Sequence, residues 1–228
     1  MDETRRFTGH VEFSEKFRPA QVITDVLFDF DGTLSLIRQG WPEVMVPLFV
    51  EHLPQQQAET EEDIRQLAWD DIMRLNGKQT IYQMIQLAER IRERGGSPRE
   101  PLWYKHEYLR RLDVLINDRK SAIRVGKQSP DEFLVHHARQ ALEQLLARGL
   151  TLHLASGTDE HYVVEEAELL GIANCFQGRI YGARDDYQSF SKRMVIERIL
   201  NETGISGDAL LAFGDGYVEI ENTKQVGG

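Results

Sequence analysis

Two hydrophobic rhythms run along this chain, and the places where one yields to the other divide it. Residues 22–28 form a short β-branched apolar run, broken only by Thr24-Asp25, as expected of a strand buried on both faces. Residues 150–155 (LTLHLA) and 209–213 (ALLAF) repeat the pattern, and 176–181 (FQGRIY) is a weaker fourth strand. Between these runs the period lengthens to that of a helix. Ser129-Pro130-Asp131-Glu132 supplies a cap, a first-turn proline and two acids at the positive end of the dipole. Leu134, Ala138, Ala141, Leu142 and Leu145 then share one helical face, and Gly149 stops the helix. Residues 159–170 and 191–203 repeat the scheme, stopped by Gly171 and Gly204. Strictly alternating helices and strands predict an α/β fold: a Rossmann-like parallel sheet with helices on both faces.

The stretch between residues 36 and 128 is different. Residues 42–53, 60–76, 80–94 and 101–117 all carry helical spacing, with no strand among them. Thr60 with Asp63 approximates a capping box, and Gly95-Gly96-Ser97-Pro98 is a firm break. An all-helical domain, residues 36–124, is thus inserted directly after the first strand of a core formed by 1–35 and 125–228. Residues 1–21 are polar and mixed in charge, and read as a loosely packed leader. Trp41, Trp69 and Trp103 read as core of the insert.

Composition narrows the setting. The 228 residues are 41% hydrophobic and 28% charged, enough to bury a substantial core. A net charge of -10 repels a duplex or an anionic membrane, so neither nucleic acid nor membrane is an expected partner. The single cysteine, Cys175, rules out an intrachain disulfide, suits a reducing compartment and reads as a small core residue. No apolar run approaches the ~20 residues of a membrane span, and no secretory signal opens the chain. A cytoplasmic location is the expectation by elimination.

The chemistry concentrates in residues 26–34, VLFDFDGTL. Alternation along a strand points Asp29 and Asp31 the same way and Phe30 into packing. Both acids stand at the carboxyl end of the strand, where parallel α/β sheets open their ligand crevice. Like charges this close call for a hard divalent cation or a shared proton. An isolated D-x-D-G also caps an ordinary turn, but three more features gather at the ends of core elements. Ser156-Gly157-Thr158 offers a hydroxyl and amides before a helix, a phosphate cradle. Lys192 stands at the start of the next core helix, and Asp215 is bracketed by glycines after the last strand, with Glu219 and Glu221 beyond.

In these four features the chain resembles the haloacid dehalogenase superfamily, most of whose members are phosphatases. D-x-D-G-T is present in full; Ser156, Lys192 and Gly214-Asp215 fill the remaining motifs, and Glu219 stands where the family usually has Asp. The insert looks like the family's helical cap domain. The resemblance implies that Asp29 is the nucleophile, forming an aspartyl-phosphate, and that Asp31 is general acid and then base. It implies Mg2+ held by Asp29, the Asp31 backbone carbonyl and Asp215, with Ser156, Gly157 and Lys192 on the phosphoryl oxygens. The dehalogenases lack an acid at the position of Asp31, which argues against dehalogenation. The cap is expected to act as a lid over a small phosphoester, with Arg38, Lys78, Thr80 and Arg124 as candidate substrate contacts and Glu219 as a supporting acid. His136, His137 and His161 lack paired ligand spacing.

A phosphomutase would use the same residues. A degenerate or truncated member that only binds phosphate or a partner is a third reading, because family members usually continue with another strand and helix after the acidic loop. Ending at 222–228 would leave the 209–213 strand on an edge, open to dimerisation or loss of stability.

Overall fold

A computed structural model describes residues 22–228, apart from the Glu219 side chain; the expected leader lies outside the described residues. β1 (Asp25–Phe28) comes first, and its four residues are buried on both faces. β2 (Thr151–Asp159), β3 (Ile180–Ala183) and β4 (Leu210–Phe213) join it in one parallel sheet of order β3-β2-β1-β4. Val26 pairs with Leu152 and Leu211, and Phe28 with Leu154 and Phe213. β1, whose end leads into Asp29 and Asp31, therefore runs between β2, which carries Ser156, and β4, whose end leads into Asp215.

Four helices fill the interval between β1 and β2: α1 (Pro42–His52), α2 (Glu61–Arg74), α3 (Thr80–Glu93) and α4 (Pro101–Arg124). Thr60 and Asp63 close a full capping box on α2. α4 outruns its expected end by seven residues, because Ile116, Lys120 and Ile123 continue its buried face and no breaker intervenes before Gly126. α5 (Ala138–Ala147), α6 (Glu160–Leu169), α7 (Lys192–Thr203) and α8 (Tyr217–Gln225) complete the core. Ser191 caps α7 by accepting from the Met194 amide, and Gly204 ends it in the left-handed region.

Side-chain alternation along β1 splits the core. Leu27 packs with Ile196, Ile199 and Leu210 on one face, while Val26 and Phe28 face Leu154, Val163 and Phe176 on the other. The second cluster continues without interruption through Phe30, Leu34 and Ile37 into Leu48, Phe49, Leu87 and Leu112 of the insert. Each such side chain, fully withdrawn from water, contributes ~1.5–3 kcal/mol, and the helical insert shares one hydrophobic cluster with the sheet. Cys175 is half-buried against it.

Several expectations are corrected. Residues 129–149 are not one helix: a 3-10 turn over Pro130–Phe133 is followed by extended Leu134 and by His137 at φ 65. The chain is held straight there because Leu134 bridges Ser35 and the Val135 amide donates to Leu34 O at 2.9 Å. β2 runs on to Asp159 because Asp159 still pairs with Ala183 of β3 across a bulge. Two of the three tryptophans are not core: Trp69 is 44% exposed and Trp103 is exposed beneath Arg99, whereas half-buried Trp41 packs against the main cluster and also borders a cavity. α8 carries only polar and scattered apolar positions, which gave no helical signal. β4 has a strand neighbour on one side only among the described residues, with Leu211 and Phe213 partly exposed. No helix among them is long and apolar enough to cross a membrane.

Candidate active site

The tip of β1 is held in the sheet for one more residue, since the Asp29 amide donates to Phe213 O at 2.9 Å. The chain then folds back: Leu34 and Ser35 amides both donate to Phe30 O, and Gly32 makes the bend at φ 81. A side chain at Gly32 would be strained there and would collide with Asp215, since a Cβ would lie 2.3 Å from Asp215 Oδ2. That close approach is how the third acid reaches the turn carrying the first two. The Asp215 amide also donates to Thr33 Oγ1 at 3.0 Å, tying the loop after β4 to the loop after β1.

Asp29, Asp31, Ser156, Gly157, Lys192 and Asp215 all line one cavity of about 380 Å3. The linker and insert supply its other wall, including Arg38, Trp41, Lys78, Thr80, Gln83 and Tyr108. Lys192 Nζ donates to Asp29 Oδ1 at 2.7 Å, with both side chains almost wholly buried. Asp31 is held from the β2 side: its Oδ2 accepts from Thr158 Oγ1 at 2.8 Å and Ser156 Oγ at 3.3 Å. Its Oδ1 is buried without a hydrogen-bond partner among the described residues, and Arg38 Nε lies 3.8 Å away.

Arg38 itself is clamped. Its Nε and Nη2 donate to the Glu166 carboxylate at 3.1 and 2.7 Å, and Glu166 is fully buried on α6. Burial pushes the Glu166 carboxyl above its usual range, against the opposing pull of Arg38. Burial works against the Arg38 charge as well, but Glu166 and Asp31 outweigh it and its pKa is raised. Burial likewise raises the Tyr108 phenol, which therefore stays protonated.

The donor set suits a hard cation without forming a closed metal cage. Among the described residues no group of three or more His, Cys, Asp or Glu side chains clusters as a preformed metal centre. Asp29 and Asp215 offer carboxylate oxygens to the shared cavity, and the rest of the shell would be a backbone carbonyl and water. Such a partial, all-oxygen set fits Mg2+, which keeps several waters, better than Zn2+ or Ca2+.

The other sequence candidates divide. Lys78 and Thr80 border the cavity. Gly157 lets the end of β2 approach the insert closely, because a Cβ there would meet Lys78 O at 2.6 Å. The Ser156–Thr158 stretch is the end of β2 rather than the mouth of a helix, and Ser156 Oγ accepts from the Thr158 amide; Ser156 and Gly157 nonetheless line the cavity, so only the helix-end placement is corrected. Arg124 is corrected too: it is not among the cavity residues and pairs with Glu165 on the outer face of α6. The Glu219 side chain lies outside the described residues.

Sequence reasoning missed Thr158, Tyr108, Glu166 and two cap-to-core ties. Gln79 Nε2 donates to Phe190 O at 2.6 Å, and buried Lys105 pairs with Asp159 at 2.7 Å and Asp185 at 3.2 Å. Glu166 alone left a trace, standing three residues after Val163 and four before Leu170 on a face that ought to be apolar.

A family model described as "haloacid dehalogenase-like hydrolase" matches residues 25–227. No curated protein matches significantly. Among solved structures, a predicted phosphoglycolate phosphatase from Haemophilus somnus 129pt aligns at 17% identity and TM-score 0.59, covering 90% of this chain and 82% of its own. A β-phosphoglucomutase from Clostridium difficile aligns at 12% identity and TM-score 0.62 over the same shares. A predicted phosphatase from Clostridium acetobutylicum aligns at 17% identity and TM-score 0.60, again over 90% and 82%. At these identities the likeness is one of fold.

Proposed function

The chain belongs to the haloacid dehalogenase-like hydrolase family, and from that premise we propose that it is a Mg2+-dependent phosphatase hydrolysing a small phosphorylated metabolite through an aspartyl-phosphate on Asp29. The observation that carries this reading is the convergence of Asp29, Asp31, Lys192 and Asp215 on one cavity that the helical insert roofs.

In the first half-reaction an Asp29 carboxylate oxygen forms a bond to phosphorus while the ester oxygen departs. Asp31 gives its proton to that oxygen, releasing the alcohol. In the second, Asp31 takes a proton from water, and the hydroxide so formed attacks the phosphorus of the aspartyl-phosphate, freeing phosphate and restoring Asp29. Ser156 Oγ, the Gly157 amide and Lys192 hold the equatorial oxygens, over which charge spreads in the transition state. Lys192 also moderates the repulsion between the Asp29 carboxylate and a dianionic substrate, which at an effective dielectric of ~20 and ~4 Å is on the order of several kcal/mol. Mg2+, held by Asp29, Asp215 and the Asp31 carbonyl, would supply further charge neutralisation at the phosphoryl group.

A cavity of about 380 Å3 accommodates a compact metabolite such as a sugar phosphate or a phosphoglycolate-like acid. The cap side offers one lysine, Lys78, beside neutral hydrogen-bonding groups on Gln39, Asn76, Gln83 and Tyr108. The test is phosphate release from a panel of such esters with and without Mg2+. Release that requires the ion and disappears in Asp29→Asn is expected; no turnover of any ester would leave a phosphate-binding module. Transfer of the phosphoryl group to a second sugar hydroxyl, without phosphate release, would identify a mutase.

A further inference from the structure

Arg38 has the burial and bonding of a fixed part rather than of a ligand-reading one. It leaves the core in the linker between β1 and α1, is 6% exposed, and spends its Nε and one Nη2 on Glu166. The ring of Tyr162 lies 5.2 Å from its Cζ, a second wall from α6. Held this way, the guanidinium presents its edge to Asp31 Oδ1 at 3.8 Å, a buried oxygen with no hydrogen-bond partner among the described residues. The opposite oxygen, Oδ2, is fixed by Thr158 and Ser156. We propose that Arg38, locked by Glu166, is a positioning residue that holds the buried Oδ1 and so fixes the plane in which the exposed part of the Asp31 carboxylate meets the leaving oxygen, and that it does not bind substrate.

The inference rests on the reading of Asp31 as proton donor. Its mechanical logic is that an aspartate has two side-chain torsions, and the β2 hydroxyls restrain only one oxygen. A fixed cation 3.8 Å from the other, buried oxygen holds the carboxylate plane by longer-range attraction. Glu166 is the informative handle: it is fully buried and does not border the cavity, so its replacement cannot act by removing a substrate contact.

The test compares p-nitrophenyl phosphate, whose leaving group departs without a proton, with phenyl phosphate, whose leaving group needs one. The full chain, with Mg2+, is assayed as wild type, Glu166→Gln, and the double variant Arg38→Met/Glu166→Leu. Removing both charges leaves no unpaired buried ion, so the double variant keeps the fold, and a melting curve verifies it. The expected result is a fall in kcat/KM of about tenfold or more for phenyl phosphate and of no more than about threefold for p-nitrophenyl phosphate, in both variants. Equal losses on the two esters, or no loss in the folded double variant, would overturn the assignment. Wild type inactive on both esters would instead sink the hydrolase reading along with it. An active wild type whose Asp31→Asn form shows the leaving-group dependence, while Glu166→Gln does not, would remove the Arg38 inference alone.

Discussion

Replacing Lys192 by methionine should expose how much of the site's order depends on one cation. Lys192 Nζ sits 2.7 Å from Asp29 Oδ1, and the side chains are only 4% and 7% exposed. At an effective dielectric of ~20 the attraction across 2.7 Å is about 6 kcal/mol, and desolvation of both groups offsets part of it. Loss of one partner leaves a buried carboxylate beside Asp31 and Asp215, and removing one member of a buried pair costs about 3–5 kcal/mol. For a chain of this size each kcal/mol lowers the melting temperature by roughly 2–4 °C, so a drop of about 6–20 °C is expected. Scanning calorimetry without Mg2+ measures it directly. Repeating the scan with saturating Mg2+ should narrow the gap between variant and wild type, because the ion neutralises the same acids, and ligand at ~100 Kd is worth about 2.7 kcal/mol. A variant that melts within about 2 °C of wild type in the absence of Mg2+ would refute the electrostatic reasoning.

Three further outcomes follow from particular contacts. His153 donates or accepts through Nε2 to buried Asp25 at 2.8 Å, and burial holds its pKa below the usual value against the pull of Asp25. The unfolded chain then binds a proton that the fold refuses, so this stability is full above about pH 6.5 and is lost as pH falls below it. Melting temperature against pH should be flatter on the acid side in His153→Asn, and an unchanged slope would contradict the assignment. Gly157→Ala brings a methyl within 2.6 Å of Lys78 O, so the cap loop must retreat; kcat/KM should fall about tenfold or more with the melting temperature nearly unchanged. A normal kcat/KM would mean that the cap loop plays no part in the closed site. Edge pairing through β4 predicts a concentration-dependent dimer in sedimentation velocity, dispersed by Leu211→Lys; a strictly monomeric protein would exclude it.

What could be read from the chain and what could not separate along a physical line. The acids of VLFDFDGTL announce themselves because a strand's two-residue period, a glycine and the rule that parallel sheets bind at their carboxyl ends all act locally. Lys192 was legible for the same reason, since Ser191 marks the helix start that places it. The helical insert was legible because four amphipathic stretches need no distant partner to be recognised. The reach of β2 was not, because it depends on Asp159 pairing with Ala183, a contact between strands. Thr158 consequently turned from a helix-opening residue into one that holds Asp31. The pairing of Arg38 with Glu166 was hidden by their separation of 128 positions. Arg124 looked like a lid cation until α4, longer than expected, carried it to Glu165. Tryptophan burial was misjudged for Trp69 and Trp103 because size alone does not place a side chain inward: Trp69 is 44% exposed, and Trp103 meets His52 and Arg99 at the surface.

Hydrolysis by the proposed route requires Asp29 to take the phosphoryl group. Acid-quenched protein from a single turnover in H2(18O), digested and weighed peptide by peptide, measures this most directly. Transfer through an aspartyl-phosphate predicts a phosphoryl adduct on the peptide containing Asp29 at early times, absent from Asp29→Asn, with the heavy oxygen appearing in released phosphate. Phosphate release in step with ester loss, with that peptide unmodified at every time point and Asp29→Asn still active, would contradict it.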